Sequence, residues 1–334
     1  MPHRFPFPSY PNGWFCIGFS SDFAIGQVVT RHCFGRDIVL HRTESGALRA
    51  TEAHCPHLGA HLGHGGRVEG ERLRCPFHGW CFDGDGQCVE IPGAQRIPPR
   101  ARLQTWPLRE LNGVVFVHNS EEGRGPDWEP EELPEQQWTP NRTVLWTLKT
   151  HPQEVFENVV DAAHLAPVHG VEGASIVCGP EEKGHVFHVA LDLIGDGTIV
   201  GMPGIRNEVT LDVTMQGLGI AVVQTNVRNA GVRARQRIYC TPIDEERVEI
   251  RGVVNLLEMG DPMITEQVAE LFYRAYVIDF AMDFPIWENK VYREKPLLST
   301  ADGPFMAYRR WARRFHGSEA GIQEIAKVAS GGID

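Results

Sequence analysis

At 334 residues the chain is long for a single core, and ordinary domain sizes argue for two. A hydrophobic fraction of 42% with 22% charged residues is that of a globular protein and excludes both a disordered tail and a membrane bundle. The net charge of −11, with no Lys/Arg-rich run, excludes nucleic acid as a partner, because phosphate binding needs a clustered basic footprint.

The first eight residues hold three prolines and no continuous apolar stretch, so they do not read as a secretory signal. Nothing later approaches the roughly 18 uninterrupted apolar residues of a membrane helix. A cytoplasmic protein with no membrane span is expected. Eight cysteines in a reducing compartment are read first as ligand chemistry rather than as disulfides.

From Trp14 to Asn119 the segments are short, β-rich and broken by glycine, as in Asp37-Ile-Val-Leu-His-Arg and Gly113-Val-Val-Phe-Val-His. Residues 1–120 are therefore assigned to an all-β domain. Residues 121–140 concentrate acid, proline and glycine, the composition of an exposed linker, and 141–334 form the second domain. There, Glu154 to Leu165 lacks Gly and Pro and has apolar residues at Val155, Val159, Ala162 and Ala163, which predicts an amphipathic helix stopped near Pro167. Alternation over 208–215 and strand-like runs at 221–227 and 247–257 predict an antiparallel sheet. A long helix is predicted over 264–290, interrupted at Pro285, so the second domain is of the α+β class.

Two short loops carry the first ligand set. His54-Cys55-Pro-His57-Leu-Gly and Arg74-Cys75-Pro-Phe-His78-Gly-Trp give the spacing C-x-H-x17-C-x2-H. Two thiolates and two imidazoles suit a closed tetrahedral zinc site. They equally suit a [2Fe–2S] cluster with cysteines on one iron and histidines on the other, and the pairing of one Cys with one His on each loop favours the cluster. Cys81 and Cys88 are read as plain thiols, and His61 and His64 as surface or supporting residues. Further on, Asn158-Val-Val-Asp161-Ala-Ala-His164-Leu-Ala-Pro-Val-His169 places two histidines five apart, which alone is modest support for a metal.

Through Cys55-Pro-His57-Leu-Gly and Cys75-Pro-Phe-His78-Gly-Trp the first half resembles the Rieske fold, which implies a Rieske [2Fe–2S] cluster on Cys55, His57, Cys75 and His78. The cysteines that pair as a disulfide in respiratory Rieske proteins are replaced here by Ala60 and Phe77, which points to the oxygenase type. The resemblance extends to the Rieske non-haem iron oxygenases, whose mononuclear iron motif N-x2-D-x2-H-x4-H is filled by Asn158, Asp161, His164 and His169. It implies Fe(II) on two histidines and a carboxylate, with open positions for O2. Asp283, in Phe280-Ala-Met-Asp283-Phe-Pro-Ile-Trp287, is the expected third ligand, and Asp279, one turn earlier, is the alternative. Asp161, expected one turn before His164 on the same helix face, would bridge His78 of one subunit to His164 of the next in a homotrimer.

Both ends of the chain, Phe7-Pro-Ser-Tyr-Pro-Asn-Gly-Trp14 and Asp283 through Asp302-Gly-Pro304 to Trp311, look like the 3-ketosteroid 9α-hydroxylase oxygenases and the cholesterol 7-desaturases. The implied second domain is a helix-grip (START-like) catalytic fold, an antiparallel sheet around a long C-terminal helix. The implied activity is that of an oxygenase component, a monooxygenase or desaturase rather than a cis-dihydroxylating dioxygenase. It would use O2 and electrons from a ferredoxin or flavin reductase, ultimately NAD(P)H, on an apolar steroid or other polycyclic substrate. Ile176, Val177, Phe187, Ile199, Met202, Met215 and Val222 are candidates for the pocket wall or the core. Two other readings stay open, a Rieske electron carrier and a lipid-binding protein with a vestigial iron site. Iron content separates the carrier from the oxygenase.

Overall fold

The computed structural model describes residues 4–317. Two compact units result, one from Trp14–Asn119 with Gly123–Glu132, the other from residues 4–13, Ser120–Glu122 and 133–317. This division differs from the boundaries read above at two places. The N-terminal arm packs with the second unit, where Arg4 donates to the carbonyls of Lys290 at 2.8 Å and Lys149 at 2.7 Å. Part of the acidic connection packs with the first, since the Trp14 indole N–H donates to Trp128 O at 2.7 Å and Arg109 pairs with Glu129 at 2.7 Å.

The first unit contains strands β1 (Gly13–Phe19), β2 (Val28–Cys33), β3 (Arg36–Arg42), β4 (Leu48–Glu52) and β5 (Arg67–Glu69), followed by β6 (Arg72–Arg74), β7 (Cys81–Phe82), β8 (Cys88–Glu90), β9 (Leu108–Leu111) and β10 (Val114–Asn119). They form three small sheets, ordered β1-β10-β9, β2-β3-β4 and β5-β6-β7-β8. Val39, Leu62, Leu73, Phe82 and Leu103 are fully buried between them. The two predicted ligand loops follow β4 and β6 directly.

The second unit is built on a seven-stranded antiparallel sheet. Its strands are β11 (Arg142–Leu148), β12 (Gly173–Lys183), β13 (Val186–Gly195), β14 (Asn207–Gln216), β15 (Ile220–Val227), β16 (Val232–Pro242) and β17 (Val248–Leu256), in the order β11-β17-β16-β15-β14-β13-β12. A meander from β12 to β17 thus ends beside β11. Helices α1 (Pro152–Glu157) and α2 (Leu165–His169) precede the meander, and α3 (Pro262–Ala281), α4 (Phe284–Asn289) and α5 (Phe305–Ala312) follow it. Ala269, Phe272 and Tyr276 form the buried face of α3. Tyr276 reaches the sheet where β17 has Gly252, whose missing side chain would lie 2.8 Å from the tyrosine Oη.

Both predicted helices are broken, the second at its proline and the first ahead of its proline. The segment predicted as one helix over 154–165 is α1, a 3-10 turn over Asn158–Val160, a non-helical Asp161 and then α2. Pro167 does not stop this segment but lies inside α2, in the first turn, where a missing N–H costs nothing. His169 is therefore the last residue of a helix, capped by left-handed Gly170. Helix α3 starts at a strong cap, Asp261, whose carboxylate accepts from the N–H groups of Met263 at 2.8 Å and Ile264 at 3.1 Å. It ends at Ala281 because Pro285 can neither donate to that residue's carbonyl nor fit beside it. The break leaves Asp283 at the start of α4.

Candidate metal centres

The two loops of the first unit repeat one turn. Cys55 N–H donates to Ala60 O at 2.9 Å and Gly59 N–H to Cys55 O at 3.0 Å; Cys75 N–H donates to Trp80 O at 2.8 Å and Gly79 N–H to Cys75 O at 3.2 Å. Gly59 and Gly79, at φ +75° and +71°, close these turns in a conformation that other residues rarely adopt. The Arg74 guanidinium braces the second loop through Gly79 O at 2.7 Å and Glu90 at 3.1 Å.

The turns sort the donors by depth. Cys55 and Cys75 are buried, whereas His57 and His78 are exposed with ring centroids 4.6 Å apart. The His57 ring stacks on Trp80 at 4.5 Å and 10°. Burial, reinforced by the Cys75 thiol, pushes the Cys55 thiol up to about 12, so metal binding must release protons here. Two sulfurs inside and two imidazoles at the rim is the donor set of a cluster with chemically different irons. Cys81 and Cys88 are buried thiols, and His61 leans on Asp37 at 3.2 Å.

In the second unit the structure brings His164, His169 and Asp283 together, with one ligand atom from each lying within 4.8 Å of the others. Asp283 Oδ2 is 3.5 Å from His169 Nε2, and its Oδ1 is 4.0 Å from His164 Nε2. The far nitrogens are occupied: His164 Nδ1 donates to Asp161 O at 2.5 Å and His169 Nδ1 to Asp279 Oδ1 at 2.9 Å. With Nδ1 engaged, each ring turns its Nε2 toward Asp283, the nitrogen left to bind a metal. Burial alone would lower the His169 pKa, but the Asp279 and Asp283 carboxylates raise it to about 9. A divalent cation that replaces the proton is held by the same charges. Two imidazoles and one carboxylate, grouped without a fourth His, Cys or carboxylate among the described residues, fit a ferrous ion with open positions.

Asp279, the alternative third ligand in the sequence reading, lies instead behind His169. Asp161 is not one helical turn before His164 on a shared face, as expected. It ends the 3-10 turn, and its Oδ1 accepts the His164 N–H at 3.3 Å while its side chain stays 25% exposed. Asn158 Oδ1 accepts the Trp287 indole N–H at 3.1 Å, which ties the turn to α4. Sequence reasoning missed the supports of this arrangement. Arg309 grips Glu157 with two hydrogen bonds, at 2.6 and 2.8 Å, across 152 residues, and Lys290 pairs with buried Glu154 at 2.9 Å. No local pattern signals such distant pairs, whereas the four-residue spacing of Asp279 and Asp283 could have suggested a ligand with its support. Of the wall candidates, Phe187 and Met215 are fully buried and Val222 nearly so, Ile176 and Met202 pack against the core, and Val177 is 54% exposed. The Ile199 side chain lies outside the described residues.

Comparison with known proteins fits both halves. Residues 13–107 match the Rieske [2Fe-2S] domain, and residues 117–316 match the 3-ketosteroid 9alpha-hydroxylase C-terminal domain. The chain is 32% identical to cholesterol 7-desaturase nvd of Hemicentrotus pulcherrimus, over 92% of this chain and 70% of that one. It is also 32% identical to a probable 3-ketosteroid-9-alpha-monooxygenase, oxygenase component, of Rhodococcus rhodochrous, over 92% and 80%. Solved structures share the fold: Pseudomonas putida CBB5 NdmA at TM-score 0.67 and 17% identity, covering 93% of each chain, and dicamba monooxygenase at 0.69 and 15%, covering 93% of this chain and 98% of that one. Among the described residues no helix is long and apolar enough to cross a membrane. Loops, triad and matches along nearly the whole length agree, and the chain belongs to the Rieske non-haem iron oxygenases, in the branch of the 3-ketosteroid 9α-hydroxylases and cholesterol 7-desaturases, as an oxygenase component with a Rieske [2Fe–2S] cluster and a mononuclear iron.

Proposed function

We propose that this oxygenase hydroxylates or desaturates a steroid, with Cys55, His57, Cys75 and His78 holding the cluster and His164, His169 and Asp283 holding Fe(II). The observation that carries the reading is the inward-facing triad, both imidazoles pinned through Nδ1, in a chain whose relatives along 92% of its length are named for steroid oxidation. When bound, the ferrous ion supplies O2 activation and the cluster supplies electrons one at a time. The protein's own share is positional. Asp279 and the Asp161 carbonyl fix the two rings, and Asn158 anchors the intervening turn to Trp287.

Asp161 is assigned the bridge between His78 of one subunit and His164 of the next, in a head-to-tail homotrimer. Its part-exposed carboxylate beside the His164 ring supports that role, since a carboxylate accepting imidazole N–H groups couples two histidines without touching either metal. The donor is a ferredoxin or flavin reductase, and cytoplasmic placement accords with eight cysteines that form no disulfide. An electron carrier would need only the loops of the first unit, and a gathered triad has no use in it.

The test is turnover with a reductase, NADH and 18O2 on a 3-ketosteroid and on cholesterol. One labelled oxygen in the product marks hydroxylation, and an unlabelled alkene marks desaturation. A cis-diol with two labelled oxygens, or no steroid-dependent oxidation of the reduced cluster, would overturn the proposal.

A further inference from the structure

Strand β12 is an edge of the catalytic sheet and carries a donor group that the oxygenase reaction does not use. Residues three apart on a regular strand face opposite sides. On β12, however, Cys178 is paired with Ala190 and Glu181 with His188, so three steps along β12 match two along β13. The extra residue is a bulge that turns Cys178 and Glu181 onto one face, the face that His188 shares with Ala190. One ligand atom from each of Cys178, Glu181 and His188 lies within 4.8 Å of the others, and Cys178 Sγ is 3.8 Å from Glu181 Oε1. On β14, Asp212 Oδ1 holds His188 Nε2 at 3.1 Å and leaves Nδ1 for a ligand. A carboxylate behind an imidazole is the usual outer support of a histidine that binds metal.

We propose that Cys178, Glu181 and His188 form a surface site for a divalent cation of the zinc type, separate from both iron centres. Zinc–sulfur and zinc–nitrogen bonds of about 2.3 and 2.0 Å place tetrahedral donors roughly 3.3–3.8 Å apart, so side-chain rotation suffices to close the site. A thiolate with an imidazole selects against Mg2+ and Ca2+, and zinc binds such a set more tightly than Fe2+ does. The cation takes the thiolate, the Cys178 proton passes to solvent, and water fills the fourth position. The bound ion would cross-link the sheet edge at its bulge.

Cys178 is the exposed cysteine of the eight and the other seven are buried, which gives a local readout. The holoenzyme is treated with iodoacetamide in metal-free buffer, with and without added zinc, and alkylation of Cys178 is followed by peptide mass spectrometry. Zinc is expected to slow that alkylation at least about tenfold at one equivalent per chain, because the metal-bound thiolate is no longer a free nucleophile. Mg2+ should give no protection, and His188→Ala and Glu181→Ala should lose most of it while the cluster absorbance stays unchanged. Absence of protection in the natural protein, or equal protection in His188→Ala, would overturn the site.

Discussion

Asp279 and Asp283 stand one helical turn apart in sequence, yet the end of α3 at Ala281 separates their work, one behind His169 and one in front of it. Removing a support is milder than removing a ligand. Asp279→Ala is expected to weaken mononuclear iron binding about 10- to 100-fold and leave it recoverable at high Fe2+, whereas Asp283→Ala should not recover. Iron titration of the two variants checks this, and equal loss in both would reverse the assignment. Histidines away from the metals set the acid limit of the fold. Burial lowers His41 to about 4 and His316 to about 3, and takes His151 well below the ordinary value. These groups are neutral in the native protein, so the unfolded chain binds more protons below its pKa of about 6.5. Their stabilising contribution is complete above that pH and is lost as pH falls toward the folded values. The unfolding free energy from urea titrations, and with it the midpoint, should drop between about pH 6.5 and 4.5, the free energy by up to about 1.4 kcal/mol per pH unit per histidine, and less steeply in His316→Gln. A flat midpoint over that range would contradict the account.

The elements around the iron site depend on one close approach. A Cβ on Gly303 would lie 1.6 Å from the Val160 carbonyl oxygen, so the segment before α5 lies directly on the turn that carries Asn158 and Asp161. Gly303→Ala must push the two apart, at an expected cost of about 1–3 kcal/mol in thermal unfolding, with weaker iron retention. Gly173→Ala, where the added atom meets nothing within 4 Å, is the near-neutral control. These elements were only partly legible in the sequence. Alternation located β14 closely, strand-like apolar runs located β15 and β17, and the Cys/His spacing located both loops. Strand β16 went unread because Arg235 and Arg237 are buried in it, where Arg237 Nη2 donates to Asn141 at 2.5 Å and Asn255 at 3.1 Å. Charged residues inside a sheet erase the polar and apolar rhythm by which a strand is recognised. The first broken helix misled for a different reason. A proline stops a helix only where its missing N–H is needed, and Pro167 lies in the first turn of α2, whereas the interruption expected at Pro285 is found where α3 gives way to α4.

At the scale of the whole molecule, the proposed bridge has electrons reach the iron from a neighbouring chain's cluster across a head-to-tail contact that closes into a ring. For the proposed homotrimer, sedimentation should find three chains. Asp161→Ala should keep both metal centres but leave reduced clusters reduced in the presence of steroid and O2. A fully active monomer, or rapid reoxidation in that variant, would end the intersubunit route. In the proposed enzyme one chain holds a cluster and a separate iron on Asp283. Iron and acid-labile sulfide, measured on the natural protein and on Asp283→Ala, test it directly. About three irons and two sulfides per chain are expected, falling to about two irons in the variant with the Rieske absorbance intact. Two irons in the natural protein, or three retained in Asp283→Ala, would contradict it.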